Sequence, residues 1–220
     1  MVLKKGHEYE ERSLTSVKRV IMQDFGELTI QFGQKERLVI EADDRMLPHV
    51  FSKVNEGILF LSLDRAWQEK LSNSFTLRAL RYSLILKSLD ALEVSGLARV
   101  NVGAVIGEAF YLRQTGRTTT HIESIQTARF DGVLHWGSRL TIAGGSARMQ
   151  KVVLSHSSKY TADHLHSEEA ELELSADSAA AIWVSRSLTA WVGEGCSLEY
   201  CGDPSVQVSG SGTVSRREAG

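Results

Sequence analysis

Between residues 92 and 182 the apolar positions recur every 20 residues. Val94, Gln114, Leu134, Leu154 and Leu174 share one column, and Leu92, Leu112, Gly132, Val152 and Leu172 share another. Val100, Thr120, Leu140, Tyr160 and Ala180 form a third, followed by Val102, Ile122, Ile142, Ala162 and Ile182, and by Val105, Ile125, Gly145 and Leu165. A fixed period near twenty marks a stack of identical units, none of which can bury its apolar face until a neighbour lies on it. Within one unit the pattern is apolar, polar, apolar at 92–94, a break at Ser95-Gly96, and the same alternation again at 100–102. Period-2 alternation places one set of side chains on one face of an extended segment, and a small polar pair gives the backbone room to turn a corner. The break column reads Ser95, Thr115, His135, Ser155 and Ser175, mostly hydroxyl residues suited to bonding backbone at turns, and continues as Gly193 and Ser209 at spacings of 18 and 16.

Twenty residues per turn leave little room for a helix and its two loops, and no unit shows a 3.6-residue period. The asparagine or cysteine ladder of leucine-rich repeats is missing, whereas a coil of short parallel strands needs only inward apolar residues and tolerant corners. Many inward positions are β-branched, as strands favour. The pattern therefore predicts an all-β, single-stranded β-helix, a β-solenoid with coils of about 20 residues. A β-sandwich with strands every 8 to 12 residues is the competing architecture, but alignment across five units in several columns disfavours it.

Upstream of residue 88 the period fades while strand signals persist. Leu28, Ile30 and Phe32 alternate before Gly33, Leu38 and Ile40 before Asp43-Asp44, and Ile58 to Leu61 follows the turn signal Asn55-Glu56-Gly57. Arg65 to Leu71 is the one stretch with helical character. A solenoid must hide its terminal rims, so an irregular start and shortened final turns read as caps. We expect one elongated domain over residues 1–220, with strands and an irregular N-terminal cap at 1–87, regular coils at 88–187 and shortened coils at 188–220. Two prolines and no Ser/Gly-rich tract argue against an internal linker.

Composition narrows the function classes. Net charge is −2 with Lys and Arg spread along the chain, which disfavours nucleic acid as a partner. No apolar segment follows the N-terminal lysines, and no stretch approaches membrane-spanning length, so neither a leader nor a membrane span is expected from the residues alone. Cys196 and Cys201 lie in an alternating stretch that would set them on opposite faces about 16 Å apart, too far for a disulfide.

Candidate chemistry is sparse. His164 and His166, with Glu168 and Glu169, share the spacing of a metal-chelating pair on a strand. The repeat alignment puts them at a coil-to-coil turn, where charged residues are ordinarily just solvated. Residues 20 apart lie about 4.8 Å from one another in stacked strands, so outward columns become ladders. His121, Thr141 and Thr161 form one beside Thr118 and Thr119, and Arg113, Val133, Val153 and Glu173 form another. His135 and Trp136, next to His156 one coil later, could line an aromatic corner pocket suited to a sugar ring. His121, His135, Trp136 and His156 are thus the candidate ligand contacts. No catalytic residue, metal ligand or cofactor site is assigned. The paired carboxylates of a polysaccharide-cleaving β-helix would show as acidic columns, and the positions one coil before Glu171 and Glu173 hold Lys151 and Val153.

Three segments together resemble a known family. Residues 38–63, LVIEADDRMLPHVFSKVNEGILFLSL, the stretch LDALEVSGLARVNV at 89–102 and the closing EYCGDPSVQVSGSGTV at 199–214 are similar to the head GIN domain of putative auto-transporter adhesins. The likeness runs from about Val17 to Val214. It departs where the family's small Ser-Gly corners are replaced by His135-Trp136 and Ser155-His156. The resemblance implies a right-handed β-helix of bacterial origin, exported to the cell envelope, with no catalytic residues to carry over. Residues and resemblance together point to a non-enzymatic binding or structural protein contacting a surface glycan or protein. The alternative is a scaffold that self-assembles into homo-oligomers, with a polysaccharide-processing enzyme ranked below both.

Overall fold

Stacking along the predicted period is what the chain does. In the computed structural model, which describes residues 7–64 and 80–217, parallel coils of about 20 residues build a β-solenoid of about six turns. The predicted helical stretch Arg65 to Leu71 lies outside the described residues. The long strands β8 (Ala91–Gly116), β9 (Thr119–His135), β11 (Gly145–Leu154), β12 (Lys159–Leu174) and β13 (Ala179–Val192), with the short β10 (Arg139–Ile142), each bend to cover more than one wall or supply one wall segment. From β8 to β12 their register is the sequence period itself, as Leu112 faces Gly132, Gly132 faces Val152 and Val152 faces Leu172, and β13 keeps it as far as Ile182 before the spacing shortens to 18 from Ser187 on. Likewise Val100, Thr120, Leu140, Tyr160 and Ala180 follow one another as direct neighbours.

The N-terminal coils are stacked out of chain order. Strands β2 (Arg19–Met22) and β3 (Phe25–Phe32) lie parallel beneath the opening of β8, and β6 (Ile58–Leu63) and β7 (Leu80–Leu86) lie parallel beneath β2 and β3. The end is then closed antiparallel: β5 (Val50–Asn55) on β6, β4 (Arg37–Asp43) on β7, and β1 (His7–Ser13) outermost on β4. β1 reads HEYEERS, and so dense a row of charge blocks further strand pairing at that edge. At the other end β14 (Ser197–Cys201) follows β13 with a spacing of 18, and so does β15 (Ser205–Gly210). β16 (Thr213–Arg216) then follows β14 with a spacing of 16. The break column was expected to continue at Ser209, yet Ser209 faces Trp191, because the shortening by two residues occurs on the wall of β14 and β16 and not on that of β15.

The inward columns form one continuous core from Val17 to Leu198. Phe110, Phe130 and Tyr160 stack along it with centroids 6.0 and 6.2 Å apart. Where the Phe110–Phe130 column continues, Gln150 takes the place of an aromatic ring. It is fully buried and satisfied: its amide nitrogen donates to Ser167 Oγ at 2.6 Å and to the Trp183 carbonyl at 3.2 Å, and its carbonyl accepts from Tyr160 Oη at 3.0 Å. Burial without such partners would cost about 1–3 kcal/mol per polar group.

Burial also holds the Tyr82 and Tyr160 phenols far above their ordinary value of 10.0. Raised folded values mean that this stability is fully present below pH 10 and is lost as pH rises beyond it, since the unfolded chain then releases protons that the folded chain keeps. Unfolding free energy from urea titrations should be level from pH 8 to 10 and then fall by about 1.4 kcal/mol per pH unit for each of the two tyrosines. A flat profile to pH 11.5 would show that these phenols are not sealed in the core.

Two expectations are corrected here. Cys196 and Cys201 do not lie on opposite faces; both are buried as free thiols. Alternation stops at the half-buried Tyr200, where the chain approaches the left-handed Gly202, and Cys201 rolls inward. Thr118 is buried beside Thr120, where both hydroxyls accept from the Gln114 side chain at 3.1 and 2.9 Å, so Thr118 is no part of the outward ladder.

Candidate functional site

One corner of the solenoid is built unlike the others. At Gly96 and Gly116 the chain turns through a glycine with positive φ, as a Ser-Gly or Thr-Gly corner should. In the next three coils the turn takes two successive left-handed residues: Trp136 and Gly137 (φ 60° and 74°), His156 and Ser157 (56° and 59°), Ala176 and Asp177 (50° and 61°). Five of these six carry side chains, each at a cost of about 1–2 kcal/mol relative to the right-handed form. The strain is held in place from two sides. Gly137 N–H donates to the His156 carbonyl at 2.7 Å and Ser157 N–H to the Ala176 carbonyl at 2.7 Å, so the inter-coil ladder runs straight through the corner. From inside, the buried Ser158 and Ser178 hydroxyls donate to the Ser155 and Ser175 carbonyls at 2.7 and 2.8 Å, closing each turn. Strained non-glycine backbone concentrates at functional sites, where surrounding structure over-determines it.

The turn throws Trp136 outward. It is 60% exposed, yet its ring lies on the His156 imidazole with centroids 4.0 Å apart and planes at 20°. Behind this pair, Ser155 Oγ sits between two imidazoles, hydrogen-bonded to His135 Nδ1 and, at 2.9 Å, to His156 Nδ1. Partial burial, then the neighbouring Arg113 guanidinium and His156 imidazole, hold the His135 imidazole below its ordinary value. In front of the pair is an open hollow of about 590 Å³. Three stacked columns line it: Trp136, His156 and Ala176; Arg117, Gly137, Ser157 and Asp177; and Thr119 with Arg139.

The structure thus brings His135, Trp136 and His156 together, with Trp136 and His156 forming the wall and His135 supporting them from behind. His121 stands apart. It faces Asn101 and Thr141, two residues beyond Thr119 along β9, and does not line the hollow. The residues that sequence inspection missed are Arg117, Arg139, Ser157 and Asp177. Their signal was present: 117, 137, 157 and 177 are one 20-residue column, and 119 and 139 another.

The His164–Glu169 segment is not a turn. It lies within β12, whose pairing with β13 slips between Ala162 and His166 and again between Ser167 and Glu169. His166 is stacked on Trp183 with centroids 4.3 Å apart, and Glu168 and Glu169 are ion-paired with Arg186, which commits these groups to one another. Among the described residues no cluster of His, Cys, Asp and Glu has metal-binding geometry. The outward ladder Arg113, Val133, Val153, Glu173 is formed as expected and runs on to Trp191, 44% exposed over a smaller hollow of about 250 Å³. That wall is crossed by the Lys151–Glu171 ion pair at 2.8 Å.

Comparison with known proteins places the chain. A family model described as "Putative auto-transporter adhesin, head GIN domain" matches residues 18–204. A putative adhesin from Bacteroides fragilis superposes with a TM-score of 0.86 at 16% identity, over 97% of this chain and 98% of its own. A putative adhesin from Parabacteroides merdae gives 0.73 at 13% identity, over 98% and 97%. A putative lipid binding protein from Parabacteroides distasonis gives 0.68 at 13% identity, over 98% of both chains. At these identities the likeness is one of fold. A search of the curated proteins finds no match.

Proposed function

The chain belongs to the family of head GIN domains of putative auto-transporter adhesins, and with that as premise we propose that it acts by binding a saccharide at the Trp136 corner, as an exported surface protein and not as a catalyst. The observation that carries this reading is Trp136 itself: a large aromatic ring, exposed, braced by His156 and presented on backbone that costs energy to hold. An indole face fixed beside polar groups suits the apolar face of a pyranose ring, and open hollows of several hundred Å³ suit small ligands. The lining contains a single carboxylate, Asp177, whereas glycoside hydrolysis ordinarily runs on two. Family membership supports the surface location.

Glycan-array binding by the full chain, repeated with Trp136→Ala, tests the reading. Hits that weaken at least about tenfold in the variant, the scale of one lost aromatic anchor, are the expected result. An array blank for both proteins, or hits indifferent to Trp136→Ala, would remove the saccharide reading. Because Trp136 makes little core contact and sits at positive φ, the variant should melt at or near the temperature of the parent.

A second reading, end-to-end self-association into a scaffold, is favoured by one feature. Val206 and Val208 on β15 are 42% and 40% exposed at the C-terminal rim, where among the described residues the strand pairs with β13 alone. Such an edge is a template for another strand. Sedimentation velocity over a hundredfold concentration range should then show a rising sedimentation coefficient that Val208→Lys abolishes; a constant monomer value throughout would reject assembly.

A further inference from the structure

We propose that the saccharide taken at the Trp136 corner is acidic, a sugar ring bearing a carboxylate or sulfate, held by Arg117 and Arg139. The inference rests on the saccharide reading above and adds the charge of the ligand. Its ground is the distribution of ion pairs. Most described arginines of this surface are answered by carboxylates, among them Arg12 by Glu10, Arg81 by Glu27 and Glu41, Arg99 by Glu27, Arg129 by Asp131, and Arg217 by Asp163 and Glu199; Arg113, Arg117, Arg139 and Arg148 are not, and two of those four, Arg117 and Arg139, line this one hollow. Around the hollow that habit lapses. Among the described residues no carboxylate comes within ion-pair reach of Arg117, Arg139 or Lys159, although Asp177 shares the same lining.

Register sharpens the point. Arg139 and Lys159 are direct partners on adjacent parallel strands, β10 and β12, so two like charges stand side by side on an exposed wall. Like charges in that position work against sheet pairing. The same column holds Arg99, answered by Glu27, and the uncharged Thr119 and Ala179, so the stacking does not itself require cations there. Concentrated, uncompensated positive charge beside an aromatic platform fits a ligand that brings its own negative charge. The arginine fork can grip a carboxylate or sulfate with two hydrogen bonds while the ring lies on Trp136.

The test compares three probes on the full chain by calorimetric titration: an oligogalacturonate, a sulfated galactose oligomer and the neutral galactose oligomer of equal length. At about 20 mM salt at least one acidic probe should bind about tenfold or more tightly than the neutral one, and the margin should shrink at about 200 mM salt as screening sets in. Which acidic probe wins identifies the anion. Arg117→Gln and Arg139→Gln should each weaken acidic-probe binding severalfold more than neutral-probe binding, and so shrink that margin, at an unchanged melting temperature. Arg148→Gln, on a different wall, should leave the margin intact. Equal affinity for acidic and neutral probes, or a margin that survives both glutamine variants, would overturn the acidic assignment while leaving saccharide binding in place. Failure of all three probes to bind would count against the saccharide reading itself.

Discussion

Gly145→Ala should lower the unfolding free energy by about 3–4 kcal/mol, read as a fall of about 1–2 M in the urea midpoint. Gly145 sits at φ +109°, a conformation that side chains resist, and a Cβ there would come within 2.0 Å of the Ile125 carbonyl oxygen and 2.7 Å of the Ile125 nitrogen. Those atoms are backbone of the neighbouring coil, registered against Gly145 itself. They can move only by prising two coils apart. Two costs therefore add: the backbone conformation, about 1–3 kcal/mol, and the forced separation, of similar size. Gly137 provides the contrast. It too has positive φ, +74°, but a Cβ there would meet nothing within 4 Å, so Gly137→Ala should cost only the backbone part, about 1 kcal/mol. Equal losses at the two positions would mean that coil separation at Gly145 is not as tight as described.

Phe130→Ala should cost about 3–5 kcal/mol, the usual range for emptying a fully buried aromatic site. The ring stands between Phe110 and Tyr160, and it also occupies the space that the absent side chain of Gly132 leaves: a Cβ on Gly132 would meet Phe130 Cζ and Val152 Cγ1 at 3.3 Å each. Gly132 has no positive φ, so the backbone there accepts a side chain, and what resists one is the Phe130 ring together with the Val152 side chain. The pair is therefore coupled. Gly132→Val alone should destabilise by overpacking, about 1–3 kcal/mol, whereas Gly132→Val placed on Phe130→Ala should recover part of the loss by filling the cavity. A double-mutant cycle in urea with additive effects would contradict this packing.

Much of this architecture was legible because a solenoid turns sequence spacing into spatial contact. Once Leu112, Gly132, Val152 and Leu172 align, the register of four strands follows, and the structure reproduces it residue for residue. What escaped were features with no periodic signature. Strands β6 and β7 sit beneath β2 and β3 although they follow them in the chain, because the pairing there is set by caps and hairpins and not by a repeat. Cys201 turned inward because a strand end next to a left-handed glycine abandons alternation. The slips in β12 hid the fate of His164 to Glu169, since a bulge shifts side chains between faces without altering composition. In the candidate site, His135, Trp136 and His156 were visible as interruptions of the Ser-Gly corner pattern. Arg117 and Arg139 were overlooked even though the same 20-residue arithmetic places them beside Gly137 and Thr119. His121 shares the chemistry of the site but stands two residues beyond Thr119 along β9, outside the lining of the hollow, a distinction that residue type alone does not convey.

The claim that binding is seated at the corner bearing Trp136 is tested most directly by the indole N–H signals of the four tryptophans in a nitrogen–proton correlation spectrum of the labelled full chain. On titration with whichever of the three saccharide probes binds most tightly, the account predicts progressive shifts of the Trp136 signal, assigned through its loss in Trp136→Phe, with Trp191 and Trp183 unmoved. Shifts confined to Trp191 would transfer the site to the opposite end of the Val133–Val153–Glu173 ladder, and a spectrum unchanged at saturating probe would contradict the claim outright.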